Sequence, residues 1–489
     1  MNQKKHKIRA VDFFCVGFGS IIGVGWAVAI NGWMVNCGGP VPAAIGYLLC
    51  LFLTVPLGLC YCELVSMMPV AGGSMAFSYK AFNKTASFVS GWASYGAFVA
   101  ILPWESIQIT DILGYLFPGL KAGAPLYTVM GSDVYPASIL IGLFFSVLLF
   151  ALNRRGFSSA ATFQRILCIL LVGTAALGVI ASLIGGNAKN LEPLYDVSDP
   201  TIYGEGLKQV SHHSFLGGVL AIVAQAAFFL AGFETIPQGI EEAGGSIKSV
   251  GKTVVLSVGS ACVFYAVLLI GFGYAWPWKE FAVMERPAAS VLFTFLFPGR
   301  VGNILYWIIT LGALAGLLTS WNGFFTPSAN LLMSMGRARF LPSVFAVQDK
   351  NGVAVHAQKI ALLLSAVGPF LGANLIDAIT CFSLAAFVLS WLLTALSLVR
   401  LRVKNPTANR PYRIPGGIFV GIFASLVSAA VLIFMFLPTS PFFIGKVTVA
   451  MFAVWISLGF VLFLFNKRER RLLAEEEIHN SIFQNNPQA

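Results

Sequence analysis

Apolar residues run along this chain in blocks of about 20, the length that carries an α-helix across a ~30 Å hydrocarbon core. Twelve blocks can be drawn: residues 11–36, 40–60, 87–116, 136–152, 162–184, 215–234, 253–276, 301–332, 359–371, 375–399, 418–437 and 443–465, the ninth being short. The pattern predicts an all-α membrane protein with about twelve transmembrane helices.

Two blocks are interrupted. The first contains Gly17-Phe18-Gly19-Ser20-Ile21-Ile22-Gly23-Val24-Gly25, four glycines in nine residues, and the stretch from Gly19 to Gly25 falls roughly 12–21 Å into the core. Glycine weakens a helix, and an unpaired amide at that depth survives only beside a cavity or a ligand that bonds to it. The sixth block ends in Phe228-Phe229-Leu230-Ala231-Gly232-Phe233-Glu234-Thr235-Ile236-Pro237, where a glycine, a carboxylate and a proline again mark a broken helix. The breaks are offset by five helices, an odd number, so two five-helix units have opposite orientations. Discontinuous helices at matching positions of inverted repeats point to a substrate site between the repeats. Gly19 and Gly23 are also spaced for close helix packing; the matched second break favours the site. A dinucleotide loop does not fit, because the spacing is G-x-G-x-x-x-G and no strand precedes it. The expected organisation is a tail (residues 1–10), a first repeat (11–184), an outer loop (185–214), a second inverted repeat (215–399), an inner loop with two additional helices (400–465) and a second tail (466–489).

Composition agrees: 57% of the 489 residues are hydrophobic and only 10% charged, against about 25% charged in soluble proteins. Twelve crossings place most of the 31 lysines and arginines on the side of the termini, leaving Lys121, Lys189, Lys208, Lys279, Arg286, Arg300 and Lys446 opposite. By the positive-inside rule both termini are expected in the cytoplasm. The net charge of +11 then reflects membrane orientation, and no nucleic-acid partner is expected. No cleavable leader is expected either, since the first apolar block lacks a cleavage pattern and leads straight into the second.

Candidate chemistry is sparse. Glu105, in Pro103-Trp104-Glu105, lies about 21 Å along the third helix from Gly91, at or just beyond the midplane. A carboxylate there either bonds a neighbouring helix in a structural role or faces a cavity, and its depth favours the cavity. In the eighth helix, Thr319-Ser320-Trp321-Asn322-Gly323 puts polar side chains mid-span. The outer loop, with Glu192, Asp196, Asp199 and Glu205, reads as a solvated cap that could also collect cations. The eight cysteines fall in or beside apolar runs and behave as small hydrophobes. Cys60-Tyr61-Cys62 has no second pair at zinc spacing, and His212-His213 stands alone, so neither a metal nor a cofactor is expected. No H-E-x-x-H is present, and His6, His212, His213, His356 and His479, at or near loops or ends, build no catalytic constellation. An enzyme is not expected.

Taken together, Gly19-Ser20-Ile21-Ile22-Gly23-Val24-Gly25, Glu63 through Pro69 to Gly72-Gly73-Ser74, Gly232-Phe233-Glu234 with Glu241-Glu242, Met335-Gly336-Arg337 with Leu341-Pro342, and Arg410-Pro411-Tyr412-Arg413-Ile414-Pro415 resemble the amino acid–polyamine–organocation permease superfamily. The resemblance implies a core of five-plus-five inverted repeats with helices 1 and 6 discontinuous, followed by two additional helices. It implies that Ser20 and the amides of Ile22, Gly23, Val24 and Gly25 surround a substrate carboxylate, while carbonyls from Phe229 to Gly232 receive the α-ammonium. By the same resemblance Phe228 is an aromatic gate, Glu234 a gating or coupling carboxylate, Trp321 a pocket wall, and Glu105 a residue of the distal side-chain pocket. Val24 and Trp26 are bulkier than the residues usual in the first-helix motif. Leu171 stands near where some proton-coupled members carry a lysine, so that coupling device is absent.

The expected function is secondary active transport by alternating access in the plasma membrane. Glu105 and Glu234 would favour a cationic amino acid or a di- or polyamine, with a proton or a counter-substrate as coupled species. The alternative is a neutral amino acid permease in which Glu105 carries the coupled proton; a sensor or a channel is a further reading.

Overall fold

The computed structural model describes residues 8–203, 214–242, 247–440, 442–471 and 473–483. The tail residues 1–7, including His6, and Glu205, Lys208, His212-His213 and Gly244-Gly245 lie outside the described residues.

Each apolar block becomes a helix. They are Ala10–Ile21 continued by Gly25–Val28 and Ile30–Cys37, then Pro40–Met67, Lys84–Leu116, Pro136–Asn153 and Phe157–Gly185 in the first half. Phe215–Phe229 with the 3₁₀ segment Phe233–Glu242, Ile247–Ala275, Arg300–Arg337, Val355–Val367 and Ile376–Lys404 follow, and Ile418–Phe436 and Gly445–Phe465 complete the set. Among the described residues ten helices are individually long and apolar enough to cross a membrane, and the bent pair through residues 215–241 makes eleven. The ninth, with 13 residues, is short as its block predicts; a 3₁₀ turn, Gly368–Phe370, extends it. This is a multi-pass, all-α membrane protein.

Helices five positions apart meet across the centre. The first touches the segment beyond the sixth-helix break, the second packs along the seventh, the third along the eighth, and the fourth against the ninth. Inverted repeats related by a pseudo-two-fold axis produce this pairing. The last two helices stand outside it, with Phe419 77% and Phe465 79% exposed toward the bilayer. The twelfth is tied to the third by a reciprocal clamp in which Trp92 Nε1 donates to the Trp455 carbonyl (2.9 Å) and Trp455 Nε1 to that of Trp92 (3.2 Å).

On the face carrying the termini, several helices run past their apolar blocks. The second continues to Met67 and buries Glu63 completely. Its carboxylate accepts from Arg402 Nε (3.0 Å), from Arg410 Nε (3.1 Å) and from the Ile414 amide (2.9 Å). Two stretches that are far apart in sequence, around Glu63 and Arg410–Ile414, are thus one charge knot. Between the second and third helices, the short helix Ser74–Ala81 packs against the third and tenth. The structure also adds a hairpin, Tyr127–Val129 with Ser132–Val134, inside a loop that hydropathy leaves featureless.

Candidate functional site

The first helix opens where its glycines predict. The Ile22 amide closes the last turn on the Phe18 carbonyl (2.8 Å), and Ile22 itself is extended at φ −90°, ψ 92°. Helix resumes at Gly25. Among the described residues, the amides of Gly23 and Val24 meet no backbone or side-chain acceptor. The carbonyls exposed by the break are covered from outside: Tyr265 Oη donates to Ile21 O (3.4 Å) and Thr319 Oγ1 to Ile22 O (3.3 Å).

The second break crosses the first. Gly232 has φ +137°, and a Cβ there would lie 2.8 Å from the backbone of Ser20 and Ile21; only glycine gives both that conformation and that approach. Ser20 Oγ lies 3.2 Å from Thr235 Oγ1. Glu234 serves this crossing, accepting the Gly232 amide on Oε2 (2.7 Å) and the indole N–H of Trp391 on Oε1.

Where the breaks cross, Ser20, Ile21, Gly23, Val24, Gly25, Ile101, Trp104, Glu105, Phe228, Phe229, Ala231, Ser320 and Phe324 line a cavity of ≈ 30 Å³, room for about one or two waters. Glu105 is only 2% exposed. Its Oε1 accepts the Ser320 hydroxyl, and Oε2 has no hydrogen-bond partner. The pair presses on the first break: a Cβ on Gly23 would lie 3.0 Å from Ser320 Oγ and 3.7 Å from Glu105 Oε1.

The walls differ in thickness. Toward the termini, Phe324, Phe98, Phe387, Trp391, Phe233, Tyr61 and Phe77 form a continuous column of rings with centroid spacings of 5.4–6.1 Å. On the opposite side the cover is Phe228, in contact with Trp104 (5.9 Å) and Phe229 (5.3 Å).

Of the residues singled out from sequence, the structure brings together Ser20, Gly23, Val24, Gly25, Glu105, Phe228 and Phe229 around the cavity. Ile22, Gly232, Glu234 and Trp321 do not line it. Ile22 spends its amide inside the helix, Gly232 and Glu234 build the crossing, and Trp321 Nε1 donates to Ser365 Oγ on the ninth helix (3.0 Å). Glu105 stands beside the first break, within reach of Gly23. The sequence pointed to Ser320 only as part of the polar stretch of the eighth helix and did not single out Phe324, Ile101 or Trp104 as site residues. Helical spacing carries the signal, since Ile101 lies four residues before Glu105 and Phe324 four after Ser320.

Two broken helices crossing at a small, mostly apolar cavity within a helical membrane bundle define a substrate-translocating transporter of the inverted-repeat class. A family model described as amino acid permease matches residues 8–464, and the chain belongs to that family. It is 23% identical to the branched-chain amino acid permease of Bacillus subtilis (strain 168) over 96% of this chain and 94% of the relative. It is 22% identical to the methylthioribose transporter of the same organism, covering 95% and 94%, and 25% identical to its glutamate/serine transporter, covering 87% and 78%.

Proposed function

We propose that the protein is a secondary transporter of neutral amino acids that carries a coupled proton on Glu105. It would work by alternating access in the plasma membrane with both termini cytoplasmic. The observation that carries this reading is the position of Glu105 against Gly23. A substrate carboxylate held by the free amides of Gly23 and Val24 would sit within a few ångströms of it. Two like charges about 4 Å apart repel by on the order of 4 kcal/mol at an effective dielectric of 20. Among the described residues no lysine, arginine or histidine pairs with Glu105. A proton on Glu105 removes the repulsion, so substrate and proton bind together.

The same position argues against the expectation of a basic amino acid. Gly23 and Glu105 are too close to hold opposite ends of a long cationic side chain, and Glu234 is already engaged by Gly232 and Trp391. An amine without a carboxylate is the second reading, favoured by the unpartnered Glu105 Oε2. Relatives named for branched-chain amino acids and for glutamate and serine support the amino acid reading.

Uptake into proteoliposomes tests it. One unit of inward pH gradient supplies about 1.4 kcal/mol, a tenfold limit on accumulation. Wild-type leucine accumulation should follow that gradient, while Glu105→Gln should exchange leucine without responding to pH. Putrescine uptake that outpaces leucine and vanishes in Glu105→Gln would establish the second reading instead.

A further inference from the structure

Behind Phe229 stands a cluster of rings that the cavity does not reach. Trp33 packs on Tyr47 (5.3 Å), on Tyr265 (5.3 Å) and edge-on to Phe229 (4.8 Å), while Tyr47 and Tyr265 lie 4.8 Å apart. They come from the first, second and seventh helices, and each is at most 1% exposed. Two polar atoms in this cluster, Trp33 Nε1 and Tyr47 Oη, have no hydrogen-bond partner. Leaving such groups unpaired in an apolar interior costs about 1–3 kcal/mol each, a cost that a polar group brought to the cluster would offset.

The geometry connects it to the cavity. Gly25 lines the cavity, and a Cβ on Gly25 would lie 2.7 Å from the Phe229 ring and 3.4 Å from Trp33 Cζ2. In an indole Cζ2 and Nε1 are bonded to the same ring-fusion carbon, so the unpaired N–H lies two bonds from the Trp33 atom that approaches Gly25. Phe229 is the partition. It is only half-buried, and were its ring to swing aside the cavity and the cluster would become one pocket.

We propose that Trp33, Tyr47 and Tyr265 form the side-chain specificity pocket, opened by Phe229, and that it selects uncharged side chains with an apolar stem and a hydrogen-bond acceptor near the tip. This rests on the amino acid reading above. A thioether meets the description, because its sulfur is a weak acceptor for an indole or phenol donor and packs well against ring edges. Methionine is therefore favoured over norleucine, which has a methylene in place of the sulfur.

The test is uptake of methionine and norleucine by the full-length protein in proteoliposomes, read as the ratio of their KM values. The wild type should prefer methionine by roughly fivefold, the worth of about one hydrogen bond. Trp33→Phe and Tyr47→Phe should each move the ratio toward one. Tyr47→Phe removes a single oxygen and keeps the ring, so it remains informative if Trp33→Phe fails to fold. Equal handling of both amino acids by the wild type, or an unchanged ratio in Tyr47→Phe, overturns the pocket assignment while leaving amino acid transport standing. A wild type that transports neither overturns the reading beneath it.

Discussion

The crossing of the two broken helices yields a contrast between two glycines. In Gly232→Ala the new methyl must occupy a site 2.8 Å from Ser20 C and Ile21 N and 3.0 Å from Ser20 O, all backbone atoms, on a residue with φ +137°. A side chain held in such a conformation costs about 1–3 kcal/mol, and forcing packed segments apart costs about 1–3 kcal/mol more. The expected loss of roughly 2–6 kcal/mol is a large fraction of a typical folding stability of about 5–15 kcal/mol. In Gly23→Ala the methyl meets only side-chain atoms, Ser320 Oγ at 3.0 Å, Ser320 Cβ at 3.5 Å and Glu105 Oε1 at 3.7 Å, and the backbone needs no positive φ. That change should cost no more than about 1 kcal/mol, yet it puts a methyl into a cavity of ≈ 30 Å³ and against the Ser320–Glu105 pair. Apparent melting of the purified proteins, paired with leucine uptake into proteoliposomes, separates the two. Gly232→Ala should melt well below wild type; Gly23→Ala should melt close to wild type but lose transport. If Gly232→Ala melts and transports like the wild type, or Gly23→Ala proves the less stable of the two, the close crossing of the breaks is refuted.

Two further perturbations address the faces of the bundle. Glu63→Ala leaves Arg402 and Arg410 with no carboxylate in a knot where Glu63 is fully buried and the Arg410 side chain 4% exposed; breaking a buried pair costs about 3–5 kcal/mol, so a wild-type melting temperature would contradict the role assigned to the knot. On the opposite face, the Lys279 ammonium bonded to Asp196, helped by the Ser198 amide and hydroxyl, holds the Asp196 carboxyl down to about 2. A folded-state value below the unfolded one of about 3.9 means that its contribution is complete above about pH 4 and is lost as pH falls toward 2. Pepsin should therefore begin to cut the loop around Asp196 in that window. Asp196→Asn should be cut already at pH 4, and equal cleavage of both proteins at that pH would count against the argument.

Why some of this could be read from sequence, and some could not, follows from which interactions are local. Block length and glycine content are local, so the twelve segments and both breaks were visible, and their offset of five exposed the repeat. The polar ends of helices were not. The second apolar block stops at Cys60, although the helix runs to Met67, because nothing near Glu63 in sequence announces Arg402 and Arg410. Side-chain direction was hidden too, since one residue along a helix is a 100° turn. Ser320 faces the cavity while its neighbour Trp321 reaches Ser365. Glu234 shows what residue type alone leaves out: the bond of this carboxylate to the amide of Gly232, across the helix break, is seen only in the structure.

Glu105 matters because of the two helix pairs it stands between. Gly23 and Gly232 belong to the first and sixth helices, which cross each other; Glu105 and Ser320 belong to the third and eighth, which pack along each other. The Ser320–Glu105 bond lies within the second pair, whereas the contact with Gly23 lies between the pairs. On the proposed mechanism, any rocking of one pair against the other keeps the hydroxyl on Oε1 and changes only the distance from the carboxyl to the free amides. The proton is then held most tightly when a substrate carboxylate is drawn against Glu105 and is released as the pairs separate. The two walls set the order of events. Opening past Phe228 and Trp104 disturbs two ring contacts, whereas opening toward the termini must part a column of seven aromatic side chains. On the proposed mechanism, substrate and proton would enter most readily from the side opposite the termini, and the aromatic column would be the barrier that their joint binding has to overcome.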